Sequence, residues 1–353
     1  MGVVNVDSLL KPISAEAPSG ENLKWDRRFL EIERLAEGKE ATQFAEGEEP
    51  NWREVRDGCV EVLARGRHLK MVVLLTLAAI RVEGYTGLRD GLKVIQGYLE
   101  QNWDTVYPQL DAEDNNDPTE RVNSLSPLTT PLYTFGDKIK FLDRVQESPL
   151  CEGQISGKFS LRDIAIAAGT MVFDEAIAGR PKPTLALIDS AFKETDPARL
   201  TEISTAIDES IASVNAIDKV FNDKLRPGEG PNLMGLKALL KDAGVQIKTR
   251  TGQASLEELA ASGGTAGGSA SGGGGAGIGR PSLSGEVNST QDAIKAMEKV
   301  VAYYDRSEPS SPVPLIVKCA LMMVGKSFLD ITGVLDPSAI DILKRIGTPP
   351  ATS

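Results

Sequence analysis

The sequence predicts a mainly α-helical protein, and three observations carry that expectation. Apolar residues recur at three- and four-residue steps over long stretches, cap-forming residues stand ahead of some of those stretches, and strand-like alternation is sparse. By pattern the 353 residues divide into an N-terminal helical-bundle domain (1–147), a helical middle region (148–253), a flexible Gly/Ser/Ala-rich linker (254–289) and a small helical C-terminal oligomerisation domain (290–353). A chain of this length has room for two or three domains that each bury a core.

The first helix is announced by Asn51 and Glu54, a capping box with Asn in place of Ser or Thr, and Val55, Cys59, Val62 and Leu63 give it one apolar face. A second runs from about Arg67 to Glu83 and ends at Gly84. Its apolar run, Met71–Ile80, is ten residues long, where a membrane span needs about 20, so it reads as the buried helix of a soluble bundle. A third runs from about Gly87 to Gln101, and the short Gly-containing turns make neighbouring helices antiparallel. Gly84 and Gly87 permit a tight interhelical turn, Trp52 and Trp103 are large enough to anchor packing, and Pro108 is expected to end the helix carrying Trp103.

An acidic loop, Asp111–Pro118, follows. Helical periodicity resumes near Arg121 and over Gly136–Gln146. Residues 148–183 are the least regular part and the place for a domain boundary; within them Lys158–Ile164 reads as a helix start or a short strand. Leu200, Ile203, Ile207, Ile211, Val214, Ile217 and Phe221 form a stripe that predicts an amphipathic helix over 197–225, packed within the middle region. Leu233–Lys241 predicts one more helix.

From Ala261 to Gly285, eleven of 25 residues are Gly, a composition with a reach on the order of 25–30 Å and no preferred direction. Beyond it, Ile294, Met297, Val301 and Tyr304 form one stripe, and Pro309, Pro312 and Pro314 force a turn. From Val313 to Ile331 apolar residues then occupy nearly every direction of a helix. Such a helix is normally buried on all sides, which a module this small has little capacity to provide alone. Cover by copies of itself is therefore expected, with docking onto the body of the same chain as the alternative. The residues assigned to oligomerisation are Tyr304, Glu308, Pro309, Ser310, Ser311, Pro312, Leu315, Ile316, Cys319, Met322, Met323 and Phe328.

Net charge is −11, and residues 1–120 carry 23 Asp and Glu against 14 Lys and Arg, a surface that repels phosphate backbones and disfavours nucleic acid. Cys59, Cys151 and Cys319 are far apart and read as reduced cytoplasmic thiols. The N-terminus lacks a basic region and a cleavage site, so neither secretion nor direct membrane insertion is expected.

Motifs that invite chemistry fail on context. Gly272, Gly274 and Gly277 fit a dinucleotide fingerprint without a preceding strand, inside low-complexity sequence. Ala320–Ser327 fits a permissive phosphate loop, but Leu321–Val324 are helix-core side chains, so Lys326 reads as a solvated or partner-facing residue. The lone histidine, His68, lies between Arg67 and Leu69 at a helix beginning, which suits a structural role better than a catalytic one. The loop at 111–117 has Asn116 and Val122 where a calcium loop needs Gly and Glu, so a solvated turn is the better account. No catalytic residue, cofactor or metal is expected.

Taken in order, seven segments resemble the ImpA N-terminal domain, the signature of TssA proteins of bacterial type VI secretion systems. They are Pro12-Ile-Ser14, Pro18-Ser-Gly20-Glu-Asn-Leu23, Asn51-Trp-Arg-Glu-Val55, Leu69-Lys70 leading into Leu74-Leu-Thr76, Gly84-Tyr-Thr-Gly87-Leu-Arg-Asp-Gly91-Leu92, Trp103-Asp-Thr-Val-Tyr-Pro108 and Arg121-Val-Asn-Ser-Leu125. Arg67-His68 is a departure, since relatives often carry an acid before that Leu. Tyr303-Tyr304, Glu308–Pro314, the helix to Phe328 and Asp336-Pro337 resemble the short tail of the baseplate-associated TssA class.

The resemblance implies a non-enzymatic scaffold that self-assembles into a ring through its tail and recruits baseplate proteins, with sheath, inner-tube, spike and membrane-complex proteins as partners of second rank. It implies a cytoplasmic location at the inner-membrane apparatus. The alternatives are a cap at the distal sheath end, which longer-tailed relatives form, and, in a different class, a nucleotide-binding regulator acting through Lys326.

Overall fold

The computed structural model describes residues 4–39, 47–171, 173 and 181–252, with isolated positions in the tail. The chain divides into two compact units, 1–262 and 263–353, and every element below belongs to the first. The expected linker and the oligomerisation residues Tyr304, Glu308–Pro312, Leu315, Ile316, Cys319, Met322, Met323 and Phe328 lie outside the described residues.

The protein is mainly α-helical. Among the described residues there are eleven α-helices and one two-stranded sheet. In chain order the helices are α1 (Val6–Leu10), α2 (Arg27–Glu37), α3 (Trp52–Leu63), α4 (Leu69–Glu83), α5 (Tyr85–Gln101), α6 (Thr119–Ser124), α7 (Phe141–Glu147), α8 (Leu161–Ala167), α9 (Leu185–Glu194), α10 (Pro197–Lys224) and α11 (Met234–Thr251). The strands β1 (Pro149–Gly153) and β2 (Gly157–Ser160) pair antiparallel, with Glu152 opposite Lys158.

Helix α4 is the centre. Leu69 and every residue from Met71 to Ile80 are buried, because a helix apolar in all directions must be covered in all directions. Helices α3 and α5 flank it, α2 lies outside α3, and α10 then α11 extend the array beyond α5. The packing of α5 on α4 is unusually close: a Cβ at Gly87 would fall 2.4 Å from the Ala79 carbonyl oxygen, and one at Gly91 would fall 2.2 Å from Thr76 Oγ1. Gly84 alone makes the turn, at φ +67. Gly87 serves contact between the helices instead.

The stripe of α10 is buried along its length, at Leu200, Ile203, Ile207, Val214, Ile217 and Phe221, and faces α5 and α11 of the same chain. One apolar cluster consequently runs from Val4 to Ile247. Helices on both sides of residue 148 draw on it.

Local chemistry explains several boundaries. Asn51 caps α3 by accepting the Glu54 amide at 3.4 Å. The reciprocal box appears at Ser160 and Asp163, which cap α8, so Lys158–Ile164 holds a strand end and then a helix. Helix α5 ends at Gln101, and Trp103 lies beyond it. Pro108 therefore does not terminate a helix carrying Trp103; the Asn102 amide bonded to the Tyr98 carbonyl closes it at 3.0 Å.

Candidate docking surface

Three of the resembling segments, distant in sequence, are knitted by backbone hydrogen bonds at the head of α4. The Arg67 amide donates to the Ser19 carbonyl at 2.8 Å, the Leu69 amide to Tyr107 at 2.8 Å, and the Tyr107 amide back to Arg67 at 3.0 Å. Ser19 Oγ and Thr105 Oγ1 lie 2.8 Å apart, and the Tyr107 hydroxyl donates to the Gly20 carbonyl at 3.3 Å. Gly20 sits at φ +69, where a Cβ would fall 2.2 Å from the Arg65 carbonyl oxygen. Upstream, Ser14 Oγ accepts the Ala17 amide at 2.9 Å, holding the turn that joins exposed Pro12 to Pro18. Pro18, Gly20, Leu69 and Pro108 thus belong to one junction.

Two buried arginines complete it, and among the described residues neither forms an ion pair with a carboxylate. Arg67 donates to the carbonyls of Leu63 at 2.5 Å, Lys11 at 2.7 Å and Ser8 at 3.3 Å. Arg121 donates to Pro108 at 2.9 Å and Val106 at 3.1 Å, and burial lowers its pKa to about 10. Helix ends and loops leave orphan carbonyls, and a guanidinium satisfies several at once. Trp52, at the other end of the array, donates its indole N–H to Glu49 at 3.1 Å beneath Arg144, whose guanidinium lies 4.6 Å from the ring centroid. Sequence pattern alone missed these arginines as anchors; Arg121 heads a resembling segment, and that was the available signal.

The surface is different. Trp25, in the turn before α2, is 80% exposed. The turn is fixed by Asp26, whose carboxylate caps α2 through the Arg28 amide at 2.8 Å and is held below its ordinary pKa by the hydrogen bond from Arg65. On one side of Trp25 lies a hollow of about 220 Å³ lined by Lys24, Phe29, Leu30, Glu33, His68, Lys70 and Glu120. On the other, a groove of about 740 Å³ runs along α2 past Arg27, Leu30, Arg34, Leu35 and Pro50. It shares Lys39, Glu48, Glu49 and Pro50 with a third hollow beneath Tyr133–Lys138, where Phe135 is fully exposed.

His68 is only 4% exposed and caps α4, its Nδ1 accepting the Lys70 amide at 3.2 Å. The Phe29 ring meets it edge-on at 4.7 Å. Burial, then the charges of Lys70 and Lys24, push its pKa down to about 3, so it is neutral at pH 7. Burial raises the thiol pKa of Cys59, and that of Cys151 to about 12, which leaves neither as a nucleophile near neutrality. In the acidic loop, Asp111 accepts the amides of Glu113 at 2.9 Å and Asp114 at 3.3 Å, so this carboxylate organises its own turn. No described helix is long and apolar enough to cross a membrane.

Residues 10–130 match the family described as "ImpA, N-terminal, type VI secretion system". The chain is also 31% identical over 356 residues to the type VI secretion system component TssA1 of Pseudomonas aeruginosa, covering 98% of this chain and 99% of that protein. The chain belongs to the TssA family. Its fold is similar to that of the N-terminal domain, including the conserved ImpA_N region, of the TssA component from Burkholderia cenocepacia. That likeness has a TM-score of 0.54 at 22% identity and covers 72% of this chain and 96% of that one. Within this TssA-family protein, the junction at the head of α4 falls inside the matched stretch. The helix α10, which covers Trp103 with Phe221, lies outside it.

Proposed function

We propose that this TssA-family chain is a non-enzymatic scaffold of the type VI secretion system. Residues 290–353 assemble copies into a ring, and the first unit recruits baseplate components, with sheath, inner-tube, spike and membrane-complex proteins as further partners. The assembly works in the cytoplasm beside the inner-membrane apparatus. The observation that carries this reading is the 31% identity to a type VI secretion component across nearly the whole length of both chains. A tail sequence with more apolar surface than it can bury alone supports self-assembly in particular.

The first unit supports a recruiting role rather than a reaction. Its buried polar groups, Arg67, Arg121 and His68, hold backbone segments together, and its exposed aromatic residues, Trp25 and Phe135, line two surface hollows that share Lys39, Glu48, Glu49 and Pro50. Several such surfaces on one ring gain avidity through raised local concentration.

Native mass spectrometry of the full chain and of a chain ending at Gln253 tests the assembly. A large closed oligomer is expected for the first and a monomer or small oligomer for the second. Equal stoichiometry for the two would refute tail-driven ring formation.

A further inference from the structure

The neutral ring of His68 has one donor that the described residues leave unused. Its Nδ1 accepts the Lys70 amide, so in the neutral imidazole the proton sits on Nε2. No described group accepts from Nε2, and the ring lines the 220 Å³ hollow. That N–H is open to water, and an acceptor arriving in the hollow replaces the water with a direct bond, a modest gain.

The rest of the hollow says what the acceptor is attached to. Its volume lies below the range of about 300–1,000 Å³ typical of small-molecule and cofactor sites, and suits a single side chain. The wall of Trp25, Phe29 and Leu30 is apolar. Trp25 stands exposed at the lip, and exposed tryptophans are the residue type most enriched at interface hot spots.

Charge decides the flanks. At the rim Lys24 is already paired with Glu120, and Lys70 with Glu33. By contrast Arg27 and Arg34, exposed two turns apart on α2 and lining the adjoining groove, make no ion pair among the described residues. The acids of the same groove, Glu31, Glu48 and Glu49, are paired with Arg28, Lys39 and Arg144, so these two arginines carry its unpaired charge.

We propose that the hollow beside His68, with Trp25 as its lip, docks an acidic peptide segment of a partner protein by a single apolar anchor. The anchor side chain enters between Trp25, Phe29 and Leu30, a carbonyl oxygen of the same residue accepts from His68 Nε2–H, and flanking carboxylates meet Arg27 and Arg34. This deepens the reading of the first unit as the recruiting arm and is independent of ring formation, so the oligomer measurement can fail while this site stands.

The test is fluorescence anisotropy of the full chain with a labelled short peptide carrying one Phe flanked by Glu residues. Two control peptides replace the Phe by Ala or the Glu residues by Lys. Saturable binding to the first and not to the controls is expected. Trp25→Ala weakens it about tenfold or more. The double variant Arg27→Glu, Arg34→Glu weakens it about fivefold and flattens its salt dependence. His68→Phe keeps the ring and removes the donor, for a loss of about fivefold. Trp25, Arg27 and Arg34 are exposed, so their variants retain the fold, which circular dichroism checks. Absence of binding at millimolar peptide, preference for the Lys-flanked control, or binding unchanged in both Trp25→Ala and the double arginine variant overturns the proposal.

Discussion

The guanidinium of Arg121 lies 4.6 Å from the centroid of the Trp103 ring, and the two act as one unit. The same guanidinium donates to Val106 and Pro108, the carbonyls of the segment that Trp103 opens, while Phe221 of α10 closes the other side of the indole edge-on at 5.4 Å. A delocalised, weakly hydrated cation is the side chain suited to stack on an aromatic face and fork to two acceptors at once. Through this stack a long loop after α5 becomes part of the core.

Arg121→Ala is expected to destabilise the first unit by about 3 kcal/mol, since two buried carbonyls lose their donors and the Trp103 ring loses its stacking partner, which together outweigh the relief of no longer burying a charge. Arg121→Lys is expected to cost nearly as much, because an ammonium cannot stack and fork together. Urea denaturation of both variants checks this. A Lys variant within about 0.5 kcal/mol of the parent would mean that charge alone, not the planar fork, matters at this position.

Gly87→Ala and Gly244→Ala are expected to move stability in opposite directions. Both glycines are helical, and alanine gains about 1 kcal/mol of helix propensity over glycine. At Gly87 the new Cβ meets the Ala79 carbonyl oxygen at 2.4 Å, and backbone cannot yield without parting α4 from α5. A net loss of about 2 kcal/mol follows. At Gly244 the Cβ meets Ile207 Cγ2 at 3.6 Å, an ordinary contact, so the propensity gain survives. Thermal melts of the two variants that shift the same way contradict this account.

Much of the fold is legible in the sequence wherever a helix buries a face. The run Met71–Ile80 specifies the central helix because no amphipathic alternative exists for it, and Gly84 specifies its end. The stripe from Leu200 to Phe221 gives a face but not the partner, since periodicity carries no information about which distant helix, here α5, covers it. The junction at Gly20, Arg67 and Tyr107 is made of backbone bonds between distant segments, which side-chain pattern does not encode; only the resemblance pointed at Gly20 and Tyr107, and it marked Arg67 as a departure. The hairpin of β1 and β2 is too short for alternation to stand out. Trp25 escapes pattern reading altogether, because tryptophan is ordinarily well buried and nothing in Lys24-Trp25-Asp26 marks it as exposed.

Glu194 is expected to govern the tip of that hairpin. Its carboxylate accepts the amides of Ile155 at 2.9 Å and Ser156 at 3.2 Å and the Ser156 hydroxyl at 2.6 Å, and these bonds hold its pKa below the ordinary value. In Glu194→Ala the amides of Ile155 and Ser156 should exchange with deuterium about tenfold faster, while those of α4 are unchanged. A lowered carboxylate pKa means that the tether is intact near neutral pH and is lost in acid as that carboxylate protonates. Exchange at the tip that is identical in the variant and the parent rules the tether out.

His68 should make the first unit acid-sensitive. Its pKa falls from 6.5 to about 3 on folding, so the unfolded chain binds the proton more readily between those values, and stability must fall as the pH drops through that window. Its contribution is complete above pH 6.5, and about 2 kcal/mol of it is lost between pH 7 and pH 5. The groups facing the ring point the same way: Lys70 and Lys24 oppose a positive imidazole, Phe29 excludes water, and Glu33 and Glu120, which line the same hollow, are each tied to one of those lysines. Protonation would also remove the Nδ1 acceptor that caps α4. His68→Asn keeps a cap acceptor and does not titrate, so urea denaturation at pH 7 and pH 5 should show a smaller pH difference for the variant than for the parent. Equal differences in the two proteins would show that the histidine is not the acid-sensitive element, and would return its role to capping alone.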